Sequence, residues 1–107
     1  MIDTEIPLHF HHRRATPFWN RNTVPQALLT RCQSEAGTYS RLSVMQGAVK
    51  YRRFANAAGN EPEFEIVIEA GSACITPPLA WYSVEVLSEE TYFNIDDFAE
   101  PADRSVR

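Results

Sequence analysis

Short apolar-rich segments recur along the chain, each roughly four to eight residues long and cut from the next by Gly, Pro, Asn or acidic residues. Ala27 to Thr30 follows Pro25, Leu42 to Met45 ends at Gly47, and Ala48 to Phe54 ends at the stretch from Asn56 to Asn60. Phe64 to Glu69, Ala73 to Thr76, Trp81 to Leu87 and Tyr92 to Phe98 complete the series. Within several segments the pattern has a period of two. Leu42 and Val44 oppose Arg41 and Ser43, Val49 and Tyr51 oppose Lys50 and Arg52, and Val84 and Val86 oppose Ser83 and Glu85. Successive side chains of a strand point to opposite faces, so this alternation predicts strands that bury one side. Thr23 to Arg31 is the one place where a short helical turn is an alternative to a strand, and the seven prolines interrupt most longer helical candidates. About seven short, evenly spaced strands predict an all-β sandwich or barrel.

Composition narrows this to one small domain. The chain has 107 residues, of which 44% are apolar, enough for one core and too many for a disordered chain. Net charge is −4, which argues against a nucleic-acid surface, since that would need a basic stripe. Arg13-Arg14, beside His9, His11 and His12, and the smaller pair Arg52-Arg53 read as solvated surface. No apolar run is long enough for a membrane span, and Asp3 and Glu5 replace the apolar region a signal peptide needs, so the expected location is the cytoplasm. Cys32 and Cys74 form no CxxC pair and read as free thiols. The expected organisation is an arm over residues 1–15, one domain over 16–100 and a polar tail over 101–107. Phe18 and Trp19 need burial, against the chain's own barrel or a partner subunit.

Several motifs in order carry a resemblance. They are Thr16-Pro17-Phe18-Trp19, Val24-Pro25-Gln26-Ala27-Leu28-Leu29 and the run from Arg41 to Tyr51. Ile68-Glu69-Ala70-Gly71, Pro77-Pro78 with Trp81 three residues on, and Thr91 to Asp96 complete the set. From Thr16 to Phe98 the chain resembles the TehB/YeaR-like cupin family, whose domain occurs in some tellurite-resistance proteins. The resemblance implies a cupin-type double-stranded β-helix, a small antiparallel barrel, often dimeric. It ties the chain by name to a stress response, and not to methyl transfer, because no glycine loop of the GxGxxG type is present.

Cupins commonly hold a metal with histidines and a carboxylate aimed into the barrel. At the positions where this family tends to carry histidine, this chain has Cys32 and Tyr82. A thiolate remains a good ligand for Zn or Fe, whereas a phenol, with a reference pKa of about 10, is a poor one near neutral pH. The expectation is therefore a pocket without a metal, lined by Cys32, Ser34, Arg41, Trp81 and Tyr82. In it Arg41 would offer a fork for a carboxylate or oxyanion, and Trp81 and Tyr82 an aromatic wall. Glu85 falls on the opposite strand face from Tyr82 and Glu69 is a remote alternative donor. A Cys32 thiol activated by Arg31 or Arg41 would be a redox sensor. No nucleophile–base set, carboxylate pair or phosphate loop points to catalysis.

Three readings follow. The first is a non-enzymatic cupin that binds a small molecule. The second is a Zn- or Fe-binding cupin with Cys32 as a surviving ligand. The third is a homodimeric interaction module with a vestigial pocket.

Overall fold

The computed structural model describes residues 5–101 and bears out the all-β expectation. Two antiparallel four-stranded sheets face each other. The strands are β1 (His11–Ala15), β2 (Cys32–Gln33), β3 (Thr38–Gln46), β4 (Ala48–Phe54), β5 (Phe64–Glu69), β6 (Ala73–Thr76), β7 (Trp81–Val86) and β8 (Tyr92–Ala99). One sheet has the order β1-β8-β3-β6 and the other β2-β7-β4-β5. Sequential strands thus alternate between the two sheets, and only β4 and β5 stay in one sheet, paired directly as a hairpin.

Three local readings change. His11–Ala15, read as part of an arm, is β1 and pairs with β8. The same course continues beyond it, because Thr16 and Ile95 exchange bonds and Trp19 bridges Phe93. Phe18 stacks on Tyr92 at 5.2 Å and Trp19 meets Phe93 edge-on at 5.9 Å, so both anchors pack on their own domain. Ala27 to Thr30 lies in the only helix among the described residues, α1 (Gln26–Thr30), not in a strand. Leu28 is buried and Leu29 exposed, as a single helical turn laid on the core by one face requires. Pro25, extended at φ −60°, starts the turn where a missing N–H costs nothing.

Alternation holds best in the central strands. Leu42 and Val44 of β3, and Val49 and Tyr51 of β4, point into the interior, where they meet Val84, Phe93 and Ile95. The crossing from β3 in one sheet to β4 in the other turns on Gly47 at φ +75°, pressed so close to Thr91 that a Cβ would collide with its backbone. Thr91 is fully buried and clamps the residue after the turn, accepting from Ala48 N at 3.2 Å and donating to Ala48 O at 3.1 Å. Edge strand β5 breaks the pattern, with both Ile66 and Val67 exposed, because little covers either face there.

The interior is layered. Strand registry brings Val44 beside Phe93 in one sheet, and Val86, Val49 and Ile68 into one row of the other. Above these apolar rows the character changes. In the first sheet Arg14, Asp97, Ser40 and Thr76 fall in one row across β1, β8, β3 and β6. In the second, Cys32, Tyr82, Arg53 and Phe64 fall in one row across β2, β7, β4 and β5. Arg53, read from the sequence as solvated, is 8% exposed: it follows Tyr51 by two residues and so points inward. Its Nε donates to the Tyr51 hydroxyl at 2.9 Å, its Nη2 donates to Ile75 O at 3.2 Å, and it lies over the Phe64 ring at 5.0 Å. Tyr51 spans the interior to reach Thr76 Oγ1 at 2.6 Å. A polar layer therefore crosses the domain, and the site lies on it.

Candidate functional site

At the β1–β2 end of the polar layer the two sheets leave a recess of about 210 Å³. Tyr82 reaches it from one sheet, and Ser40, Asp97 and Arg14 from the other. Trp19, Pro25 and Leu28 form an apolar wall, and the segment Gln33–Glu35 with Thr38 forms the rim. Its volume suits a molecule of a few heavy atoms and is below the range usual for drug-sized ligands.

The charged side of the recess is a chain of ion pairs. Asp97 accepts from Ser40 Oγ at 2.9 Å and from Arg14 Nε at 2.8 Å. Arg14 Nη2 also donates to Glu35 Oε1 at 3.2 Å, and Arg13 grips the same oxygen from outside at 2.7 Å. The Arg13 hydrogen bond, aided by Arg14, holds the Glu35 carboxyl below its ordinary range, and Asp97 raises Arg14 further. These groups are neighbours only because the β1–β8 register shifts between His12 and Arg14. That irregularity sets Arg14 opposite Asp97.

Tyr82 is 7% exposed and stacks on Tyr51 at 5.7 Å. Burial raises its pKa strongly, and Cys32, Tyr51 and Asp97 nearby add to the shift, so the phenol stays protonated. Cys32 lies directly across from Tyr82 in the register and packs against the core beneath the recess. The two positions singled out by the family pattern therefore do come together. Burial raises the Cys32 thiol, only partly offset by Tyr82, which removes the idea of an activated thiol beside Arg31 or Arg41. Arg31 instead lies over the Phe54 ring and donates to the Ala57 carbonyl. Cys32 and Cys74 are both free, and burial pushes Cys74 up to about 11.

Of the expected lining residues, Ser34 and Tyr82 line the recess and Cys32 lies beneath it. Ser34 is committed to structure: its Oγ donates to Pro77 O at 2.6 Å and accepts from Ala80 N at 2.9 Å. It thereby holds the turn in which Leu79 takes φ +59°, with Gln33 bonded to the Leu79 carbonyl. Arg41 is not in the recess. Position 41 alternates with the inward Ser40 and Leu42, so its side chain lies on the outer face, 3.5 Å from Asp96 and over the Phe98 ring. Trp81 is excluded by the same parity, since its neighbour Tyr82 points inward, and it is paired in register with Phe54 and Gln33. Glu85 is exposed and bound to Arg52, as its parity predicts.

The donor set does not suit a metal. Cys32 faces a protonated phenol, Asp97 is held by Ser40 and Arg14, and His9 and His12 pair with Glu100 and Asp96. Among the described residues no three His, Cys, Asp or Glu side chains gather as a metal site would require.

Sequence reasoning missed Arg14, Glu35 and Asp97. The signal for Asp97 was available, because it continues the period of Phe93 and Ile95. Arg14 and Glu35 carried none, since each depends on a neighbour distant in sequence.

The fold and recess define a class: a small two-sheet antiparallel β domain with a polar recess at one end of its interior. The TehB-like domain family matches residues 14–95, and the chain belongs to that family. The Uncharacterized protein YeaR of Escherichia coli strain K12 is 44% identical over 100 residues, spanning 91% of this chain and 84% of that protein. A crystal structure of an E. coli K12 protein from the Northeast Structural Genomics Consortium has a TM-score of 0.88 at 43% identity, covering 92% of this chain and 99% of that one. TehB from Haemophilus influenzae has a TM-score of 0.78 at 20% identity, a likeness of fold alone, and this chain spans only 32% of it. The resemblance read from the ordered motifs is thereby shown.

Proposed function

We propose that this protein is a non-enzymatic, cupin-type domain that binds a small polar molecule in the recess above Tyr82. The sheet orders β1-β8-β3-β6 and β2-β7-β4-β5 support the cupin reading, since alternation of strands between two sheets is the pattern of a double-sheet jelly roll. One observation carries the binding reading. The interior turns from apolar to polar where the sheets part, and Tyr82, Ser40 and Asp97 converge there from both sheets. No residue in the recess is placed as a nucleophile with its base: the hydroxyls of Ser34 and Ser40 are bonded to Pro77 and Asp97, and Cys32 is held protonated by burial. The physiological frame offered by the family is a stress response, related by name to tellurite resistance.

Crystallographic or NMR screening of small polar compounds tests the reading. Binding should shift the Trp19 indole and leave Trp81 unmoved, weaken on Tyr82→Phe and be indifferent to Arg41→Ala. Binding that depends on Arg41 and ignores Tyr82 would place the ligand on the outer face and refute it.

A homodimer is a second reading, favoured by one feature. Phe18 and Tyr92 stack on each other yet remain exposed, with exposed Met45 beside Gln46, the register partner of Tyr92. Sedimentation of the native protein and of Phe18→Ser tests it, and a monomer at micromolar concentration would remove it.

A further inference from the structure

We infer that the ligand of the recess is a small cation, an ammonium or guanidinium carrying N–H donors. This rests on the reading of the recess as a ligand site and adds the charge of what it takes. Three observations point the same way. The ionic groups that line the recess are one guanidinium, Arg14, and two carboxylates, Asp97 and Glu35, so the lining carries an excess of negative charge. Arg13 also binds Glu35 but does not line the recess.

Arg14, the one lining cation, is already committed. Asp97 holds its Nε at 2.8 Å and Glu35 its Nη2 at 3.2 Å. An incoming anion could use the remaining Arg14 N–H groups, but there it would sit beside both carboxylates that already hold this guanidinium. A cation meets both oxygens of Asp97, each with one bond accepted, and Glu35 Oε2, because an ionised carboxylate offers about four acceptor sites. Arg13 offsets Glu35 only from outside the recess, and like charges in a half-enclosed site repel more strongly than in open water, so a position between the two carboxylates favours a cation over an anion.

Tyr82 is the third observation. It is buried, its hydroxyl faces the weakly accepting Cys32 thiol, and it makes no hydrogen bond to an oxygen or nitrogen among the described residues while lining the recess. A protonated phenol oxygen can accept from an N–H donor. The Trp19 and Tyr82 rings add aromatic surface, which attracts cations at its faces.

The test compares three probes of one shape on the full chain: propylammonium, propanol and propionate, at constant ionic strength, read by the Trp19 indole N–H signal with Trp81 as internal control. The expected order is propylammonium, then propanol, then propionate, with half-saturation by propylammonium at a concentration at least about threefold below that for propanol, the size of one exposed charge interaction. Glu35→Gln, an exposed substitution that leaves the core intact, should narrow that ratio by about threefold. Asp97→Asn, if it folds, should narrow it further. Propanol or propionate binding as well as propylammonium would overturn the cation assignment and leave the recess as a ligand site. An equal ratio in Glu35→Gln and the parent would overturn it too. If no probe moves Trp19, the recess is not a ligand site and both readings fall.

Discussion

The phenol oxygen of Tyr51 is the joint on which the polar layer depends, and removing it is a clean perturbation. Tyr51→Phe keeps the ring that stacks on Tyr82 at 5.7 Å and takes away one atom. That atom accepts from Arg53 Nε at 2.9 Å and bonds Thr76 Oγ1 at 2.6 Å. Water cannot easily replace it, since Tyr51, Thr76 and Arg53 are 0%, 2% and 8% exposed. A lost bond to a charged donor costs about 1.5–3 kcal/mol and a lost neutral one about 1 kcal/mol, so the expected destabilisation is about 2.5–4 kcal/mol. Arg53 makes this larger than for an ordinary tyrosine, because it is a buried cation with no carboxylate partner among the described residues. In Arg53→Met the same hydroxyl loses a partner but no charge is stranded. The double variant should therefore be less destabilised than the sum of the two singles by about 2 kcal/mol. Urea unfolding followed by tryptophan fluorescence and far-UV circular dichroism reads all four proteins. A domain of this size has about 5–15 kcal/mol in total, so Tyr51→Phe should lower the midpoint by about 1–2 M or more. A change below about 0.5 kcal/mol, or strict additivity in the cycle, would refute the reasoning.

Three further outcomes follow from local geometry and from burial. Gly47→Ala should cost about 3 kcal/mol or more, combining the left-handed conformation with collision against Thr91, whereas Gly37→Ala, at φ +72° with open space around it, should cost only about 1–2 kcal/mol. Equal losses at the two positions would show that Thr91 does not constrain the β3–β4 turn. The Cys74, Tyr51 and Tyr82 pKa values are raised by burial, so the folded state holds these protons more tightly than the unfolded one. Their stabilisation is complete below the unfolded values and is lost as pH rises, starting near 9 for Cys74 and continuing past 11. Urea midpoints should thus fall steadily above pH 9, and Cys74→Ala should reduce the slope; a flat profile to pH 11 would contradict the burial. Both thiols should react slowly with a thiol reagent at pH 7 and quickly in urea, because burial raises Cys32 as well as Cys74.

Much of the fold was legible in the chain because its signals are local. Period-two alternation placed β4, β7 and the second half of β3, the apolar run from Tyr92 to Phe98 marked β8, and glycines and prolines marked the ends. Strand parity also foretold that Glu85 and Tyr82 would part. Applied as strictly to Asp97 after Phe93 and Ile95, to Arg53 after Tyr51, or to Arg41 between Ser40 and Leu42, it would have corrected the candidate site. Charge was taken as a sign of solvent at Arg53, where the strand's geometry outweighs it.

What the sequence by itself determined was the strand pattern, the family and the meeting of Cys32 with Tyr82, each a matter of short-range order or ordered motifs. The tertiary structure alone decided which face of each strand became interior at the open end. It set Arg14 against Asp97 and Glu35, and it laid a polar row of one sheet over a polar row of the other. Those contacts join residues up to 83 positions apart, as Arg14 and Asp97 are. They depend on registry between strands and on how two sheets stack, and neither is written in any local window.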